Sequence, residues 1–373
     1  MNCRPWAVLT LVLFTTGGNA QRSPDAKRLA VIGYYAGRTT TIDSFPTQKL
    51  THIIYSFCHL RGNRLYVNNA GDSDRIRHLV TLKENNPGLR VILSLGGWGG
   101  CRTCPDVFAT DSGRREFAAS VREISDYFHT DGIDLDWEYP SLENVPGYPY
   151  TPEDKDHFTE VIRLLRKTLG RKAEISFAAG GFTTYLETSV DWKKVAPLVN
   201  YINLMTYDLV GGYSKRSGHH TPLYSTPDQA ESVDHAVSWL DSAGVPRNKL
   251  VIGMAFYARI YQVDDSAGNG LYQPARFWRG VSYRDQPTIL SPDSGYVYHW
   301  DSVAQAPYKF NAQRRLFATF DDTVSIRLKT EYAIRKRLGG VMFWQLADDR
   351  YFNGGLLDVI DNTKLSFAAG RKN

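Results

Sequence analysis

The chain has 373 residues, a formal net charge of +5 at pH 7, 42% hydrophobic and 22% charged content, ordinary values for one large globular domain or two average ones. Lys and Arg are scattered among acids, and clusters such as Arg314-Arg315 and Arg335-Lys336-Arg337 fall in polar or helical stretches. With no basic stripe or binding motif beside them, a nucleic-acid partner is not expected. Nor is a membrane, since no run approaches about 18 consecutive apolar residues.

From the N-terminus, Arg4 supplies a positive charge, Ala7 to Phe14 form a short apolar run, and Gly18-Asn19-Ala20 ends in small residues. That pattern predicts a secretory signal over residues 1–20, cleaved near Ala20, and an exported mature domain over 21–373. Short apolar runs then alternate with helical stretches. Strands are expected at Leu29–Tyr35, Thr51–Phe57, Arg90–Leu95, Gly132–Glu138, Ala173–Ala179, Tyr201–Tyr207, Leu250–Tyr257 and Gly340–Gln345. Helices are expected at Asp74–Asn85, Ser112–Phe128, Pro152–Leu169 and Gln229–Ala243, the last stopped by Gly244 and Pro246.

Eight βα units over this length predict an α/β fold, a closed (β/α)8 TIM barrel. A doubly wound open sheet is the alternative, but no G-x-G-x-x-G or phosphate loop follows the first strand. Between the seventh and eighth strands lies a long stretch dense in aromatics, with strand-like alternation at Gly295–Trp300 and Arg315–Phe320. It is read as a small α+β insertion over roughly residues 259–320, rising from the catalytic face to wall a cleft. The chain carries 22 Tyr, 17 Phe and 8 Trp, an excess that suits stacking on the flat apolar faces of sugar rings.

Cys101 and Cys104 flank two residues just after the third strand. In an oxidising compartment they are expected to staple a loop, leaving Cys58 as a buried free thiol. No second Cys or His pair sits at zinc-ligand spacing, and His219-His220 are neighbours in a polar loop.

The segment Asp131-Gly-Ile-Asp134-Leu-Asp136-Trp-Glu138-Tyr-Pro140 carries the chemistry. Strand side chains alternate faces, so Asp134, Asp136 and Glu138 share one face about 7 Å apart, and Ile133, Leu135 and Trp137 share the other. With the apolar set against the helices, three carboxylates point toward the barrel axis. Burying them together costs several kcal/mol, by rough estimate, unless protons or partners relieve the repulsion. Stability gives no reason for the cluster; a proton donor with a raised pKa does. Glu138, nearest the C-terminal mouth, is the natural donor. A Mg2+ or Ca2+ site and a solvated acidic edge are the competing explanations of the same acids.

These residues match the D-x-x-D-x-D-x-E motif, and the chain resembles glycoside hydrolase family 18, the chitinases. Ser94-Leu-Gly-Gly97-Trp98 is similar to the family's S-x-G-G motif, Leu204-Met-Thr-Tyr-Asp208 to its M-x-Y-D element, Phe343-Trp344-Gln345 to its terminal tryptophan motif, and Gly33-Tyr34-Tyr35 to its first strand. The likeness runs from about Leu29 to Phe367; Ala258 stands where relatives commonly carry Gly.

The resemblance implies a retaining, substrate-assisted hydrolysis of β-1,4-linked N-acetylglucosamine polymers, without metal or cofactor. Glu138 would be acid and base, Asp136 would stabilise an oxazolinium ion, Asp134 would share a proton with Asp136, and Tyr207 would hold the acetamido group. Trp344 would floor the sugar site, with Tyr34, Trp98, Tyr139, Met205, Asp208 and Arg259 lining it and Ser94 and Asp131 supporting the acids. The expected partner is chitin or a chito-oligosaccharide, bound by a monomer. A sugar-binding lectin, an endo-β-N-acetylglucosaminidase and a peptidoglycan hydrolase are the alternatives on the same barrel.

Overall fold

The computed structural model describes residues 28–143 and 146–370. The signal expected over 1–20 lies outside the described residues. The first strand, β1 (Ala30–Tyr35), is followed by β2 (His52–Arg61), which turns back through a short hairpin strand, β3 (Arg64–Tyr66). Then come β4 (Arg90–Gly96), β5 (Gly132–Asp136), β6 (Glu174–Gly180), β7 (Tyr201–Met205) and β8 (Leu250–Ala255). The insertion contributes β9 (Tyr257–Val263), β10 (Ala275–Ser282), β11 (Val297–Asp301), β12 (Ala306–Asn311) and β13 (Leu316–Thr319), and β14 (Gly340–Trp344) completes the series. Strands β1, β14, β8, β7, β6, β5, β4 and β2 pair in that order, all parallel, and β1 pairs with β2 to close the barrel.

Period-two alternation builds the two sides of the wall. In β1, Ala30, Ile32 and Tyr34 turn inward and pack with Ile54, Ala178, Val251 and Met342, while Val31 and Tyr35 join the core beneath the helices. The helices meet that core through stripes of period near 3.6. Along Asp154–Leu169, Phe158, Val161, Ile162, Leu165 and Leu169 are buried. The helix Asp111–Phe128 starts where the Thr110 hydroxyl accepts from the Gly113 N–H at 3.0 Å, and stops at His129, whose φ of 59° is left-handed.

Two strand boundaries differ from expectation. The fourth barrel strand ends at Asp136 rather than Glu138, because its ladder reaches only Leu135 on the β6 side and Asp136 on the β4 side. The run Leu250–Tyr257 divides at Phe256. Its N–H donates to the Trp344 carbonyl at 2.9 Å, whereas its own carbonyl accepts from the Tyr283 N–H at 2.9 Å. One peptide group thus belongs to the barrel and the next to the insertion. The second sheet occupies Tyr257–Thr319 in the order β10-β9-β13-β12-β11, antiparallel throughout. Ala258 and Ile260 pack on one face, and Tyr261 and Val263 on the other. Cys101 and Cys104 are joined in a disulfide, and Cys58 is free and buried.

Where the chain leaves the insertion, Lys329 and Asp321 form an ion pair at 2.7 Å, both 0% exposed. Lys329 Nζ also donates to the Thr221 carbonyl at 2.7 Å, and Asp321 accepts from the Ala255 N–H at 3.0 Å. The pair therefore joins the end of β8, the loop after β7 and the helix Thr323–Arg335. Such a pair adds little over an apolar substitute, but removing one partner strands a buried charge. Lys329→Met is expected to cost about 3–5 kcal/mol, read as a fall in the urea midpoint; an unchanged midpoint would contradict this account of the joint.

Candidate active site

Parallel strands place all their C-terminal ends on one face of a barrel, the face that carries chemistry in this architecture. Here that face gathers Glu138 two residues beyond β5, Tyr207 and Asp208 just beyond β7, Trp344 at the end of β14 and Trp98 beyond β4.

Below them, a layer of polar side chains crosses the barrel. Ser94, Asp134 and Ser176 are in register on β4, β5 and β6. Asp134 is 0% exposed and accepts four hydrogen bonds: from Ser94 at 2.8 Å, Ser176 at 2.6 Å, Tyr34 at 3.1 Å and the Asn203 amide at 3.2 Å. Burial pushes the Asp134 carboxyl up, and these donors pull against it.

One turn of alternation higher, Asp136 is buried and its Oδ1 has no partner. Burial raises its pKa well above the ordinary range, with Glu138 the next cause and Asp134 after it. Glu138 itself is pushed up to about 7, chiefly by burial; the Tyr139 hydroxyl lowers it and the Asp208 charge raises it.

Gly96 lets these layers approach. Its φ is +115°, and a Cβ there would stand 2.2 Å from the Asp136 carbonyl oxygen.

Asp208 sits at a left-handed φ of 56°, a conformation that Asp tolerates better than most residues. Arg259 grips its carboxylate through two nitrogens, and His220 approaches at 3.4 Å. Burial works to raise the Asp208 pKa, but Arg259 and His220 outweigh it and hold the carboxyl below the usual range. A fixed negative charge thus stands near Glu138. Tyr207 is half-buried, with its hydroxyl 3.8 Å from the Met342 sulfur, and burial followed by the charges of Asp136 and Glu138 raises its pKa well above the phenol value.

The aromatic floor is Trp344, stacked on Phe57 with ring centres 5.5 Å apart, and 6.1 Å from the Tyr34 ring. Met205 packs in the same interior cluster. Tyr139 lies against Phe182 at 5.4 Å and Tyr185 at 5.3 Å. Peptide bonds Ser56–Phe57, Glu138–Tyr139 and Trp344–Gln345 are cis.

Two expected positions need correction. Tyr34 is 1% exposed and serves beneath the acids, with its hydroxyl on Asp134, rather than lining the cleft. Trp98 stands at the rim of the catalytic face, 54% exposed and 6.3 Å from the Tyr213 ring. Asp131 is at the opposite end of β5. It accepts from the Val91 N–H at 2.8 Å and pairs with Lys83 and Arg90, so it anchors the bottom of the barrel rather than the acids.

Sequence reasoning also missed contributors. Ser176 and Asn203 complete the shell around Asp134, and each is a polar side chain set between apolar neighbours in its strand, which is the signal that marks them. His219 and His220, read as loop residues, are both 0% exposed, on Asp301 and Asp208. Among the described residues no group of three or more His, Cys, Asp and Glu side chains is arranged to hold a metal ion. No helix there is long and apolar enough to cross a membrane.

Comparison with known proteins agrees with this geometry. Residues 30–349 match the model of the glycosyl hydrolases family 18. The chain is 32% identical to Chitinase A1 of Niallia circulans over 86% of its own length, and spans 56% of that longer protein. It is also 32% identical to Chitinase B of Serratia marcescens, covering 90% of this chain and 83% of the relative. Among solved structures, a family 18 N-acetylglucosaminidase from Paenibacillus barengoltzii superposes with a TM-score of 0.82 at 33% identity, covering 90% of this chain and 99% of that one. With the motif residues in register on a closed eight-stranded barrel, the chain belongs to glycosyl hydrolase family 18.

Proposed function

We propose that the protein is an exported chitinase that hydrolyses β-1,4 bonds between N-acetylglucosamine units with retention, using the substrate's own acetamido group as nucleophile. The observation that carries this reading is the placement of Glu138 at the barrel mouth, two residues beyond the buried Asp136, where burial pushes its carboxyl up to about 7. An acid of that pKa holds a proton near neutrality and can still release it.

Glu138 gives its proton to the glycosidic oxygen as the C1–O bond breaks. The acetamido carbonyl oxygen closes on C1, leaving an oxazolinium ion whose positive charge Asp136 offsets in a water-poor setting, its own proton passing toward Asp134 as that charge develops. The Tyr207 hydroxyl donates to the acetamido oxygen and holds it in line with C1. Water then attacks C1, Glu138 takes its proton, the ring opens, and both the acid and the configuration are restored. Asp134, held by its four donors, fixes the floor of the layer and shares a proton with Asp136. The chitinase names of the relatives support the polymer, and the expected leader over 1–20 supports export.

A second reading has one specific observation in its favour. The structural neighbour with 33% identity is an N-acetylglucosaminidase. Release of single sugars as the first product from colloidal chitin would favour it; chitobiose and longer products favour the chitinase.

With a fluorogenic chitobioside, Glu138→Gln is expected to lower kcat by about 10²–10⁴, and near-normal turnover would remove Glu138 from the role of acid. Tyr207→Phe is expected to lower kcat about 10–100-fold with little change in KM, since the lost bond orients the nucleophile; an effect on KM alone would contradict this. Stability should move in the opposite direction. A carboxyl raised by folding adds stability that is complete below its unfolded pKa and is lost as pH climbs through about 7. At pH 8, Glu138→Gln is therefore expected to raise Tm by about 2–4 °C, with no gain near pH 4. A variant no more stable at pH 8 would show that Glu138 is not a strained acid.

A further inference from the structure

At the far end of the barrel from the acids, a cavity of about 610 Å³ opens beside the helix Asp154–Leu169. Its walls carry Arg163, Arg166, Lys167, Arg171 and Lys249, and no carboxylate. Arg163 is neutralised by Glu160 at 2.6 Å. The other four cations have no carboxylate partner among the described residues.

Two of the four are held rigidly. Arg166 donates to the carbonyls of Leu198, Gly170 and Ala173, each at 2.8 Å, and to the Asn200 side-chain oxygen at 2.7 Å. A guanidinium has five N–H groups, so one is left over. Lys249 Nζ donates to the carbonyls of Ala196 and Val199, both at 2.7 Å, which likewise leaves one of its three. The structural duty of these two side chains is to satisfy carbonyls ahead of β6 and β7 and at the end of the helix, where cations are favoured. Burial lowers the pKa of both; the Glu174 charge pulls Arg166 partly back up, and the Arg166 charge lowers Lys249 further, so the two cations stand close enough to repel.

Carbonyl capping does not account for Lys167 and Arg171. Both are exposed on the cavity wall and engage no partner among the described residues. Four like charges around one concavity repel in the empty state, and a multivalent oxoanion relieves that repulsion while taking the spare N–H donors.

We propose that this cavity is a binding site for a phosphate-type oxoanion, free or borne on a polymer. It lies at the N-terminal ends of the strands, so an occupant leaves the opposite, acid-bearing face open. A polymer-borne anion would hold the protein on an anionic matrix with the cleft facing outward.

The test is calorimetric titration of the full chain with inorganic phosphate at constant ionic strength, with chloride as the control. Saturable one-site binding is expected, weakened about tenfold or more by Lys167→Glu with Arg171→Glu. Hydrolysis of a chitobioside should be unchanged in that variant, which also reports that it is folded. The milder pair Lys167→Gln and Arg171→Gln should weaken binding in the same direction by less. Displacement of phosphate by long-chain polyphosphate would identify a polymer-borne ligand, and its failure a free one; each outcome keeps the site. Absence of saturable binding, or equal affinity in the double variant, overturns it.

Discussion

A carboxyl group taken out of water must find donors, keep its proton, or destabilise the fold, and β5 places two of its acids and the residue just beyond it under that choice at different depths. Asp134 takes the first way, with hydroxyls of Ser94, Ser176 and Tyr34 and the amide of Asn203 around it. Asp136 has no such shell, and its buried Oδ1 stands unpaired. Glu138 emerges beyond the ladder, still desolvated enough to hold a proton near neutrality. One strand thus sets a gradient from a saturated acid to a poised one.

The rest of the molecule serves that gradient. The barrel wall supplies the dry interior, and the outward set Ile133, Leu135 and Trp137 locks β5 against the helices so that the inward set cannot slip. Arg259 lies on β9 of the insertion, yet it clamps Asp208 at the end of a barrel strand. The insertion therefore contributes directly to the charge beside Glu138 as well as to the cleft wall. The buried pair Lys329–Asp321 fastens the two sheets at their junction.

Much of this was legible in the residues. Apolar runs and helix stops located the eight strands, and period two assigned the acids to one face and their apolar neighbours to the other. The motif spacing named Glu138, Tyr207 and Trp344 without coordinates. What stayed hidden depends on contacts between strands distant in sequence. Nothing local distinguishes Asp131, tied to Lys83 and Arg90 at the bottom, from the acids a few residues on. The Tyr34 hydroxyl reaches Asp134 only because β1 and β5 lie across the barrel from each other. Polar-looking loop histidines became buried partners because the chain after β7 folds beneath the insertion, which no periodicity encodes. The division at Phe256 has the same origin: its two hydrogen bonds reach Trp344 in the last barrel strand and Tyr283 in the insertion, both distant in sequence.

The central claim is that Glu138 keeps a proton up to near neutral pH because the fold desolvates it. Carbon-13 NMR of side-chain carboxyls, with Glu138→Gln identifying the resonance, measures this without reference to turnover. The account predicts a carboxyl that titrates near pH 7 and is missing from the variant. A Glu138 signal that titrates at the ordinary glutamate value, about 4.3, would contradict it.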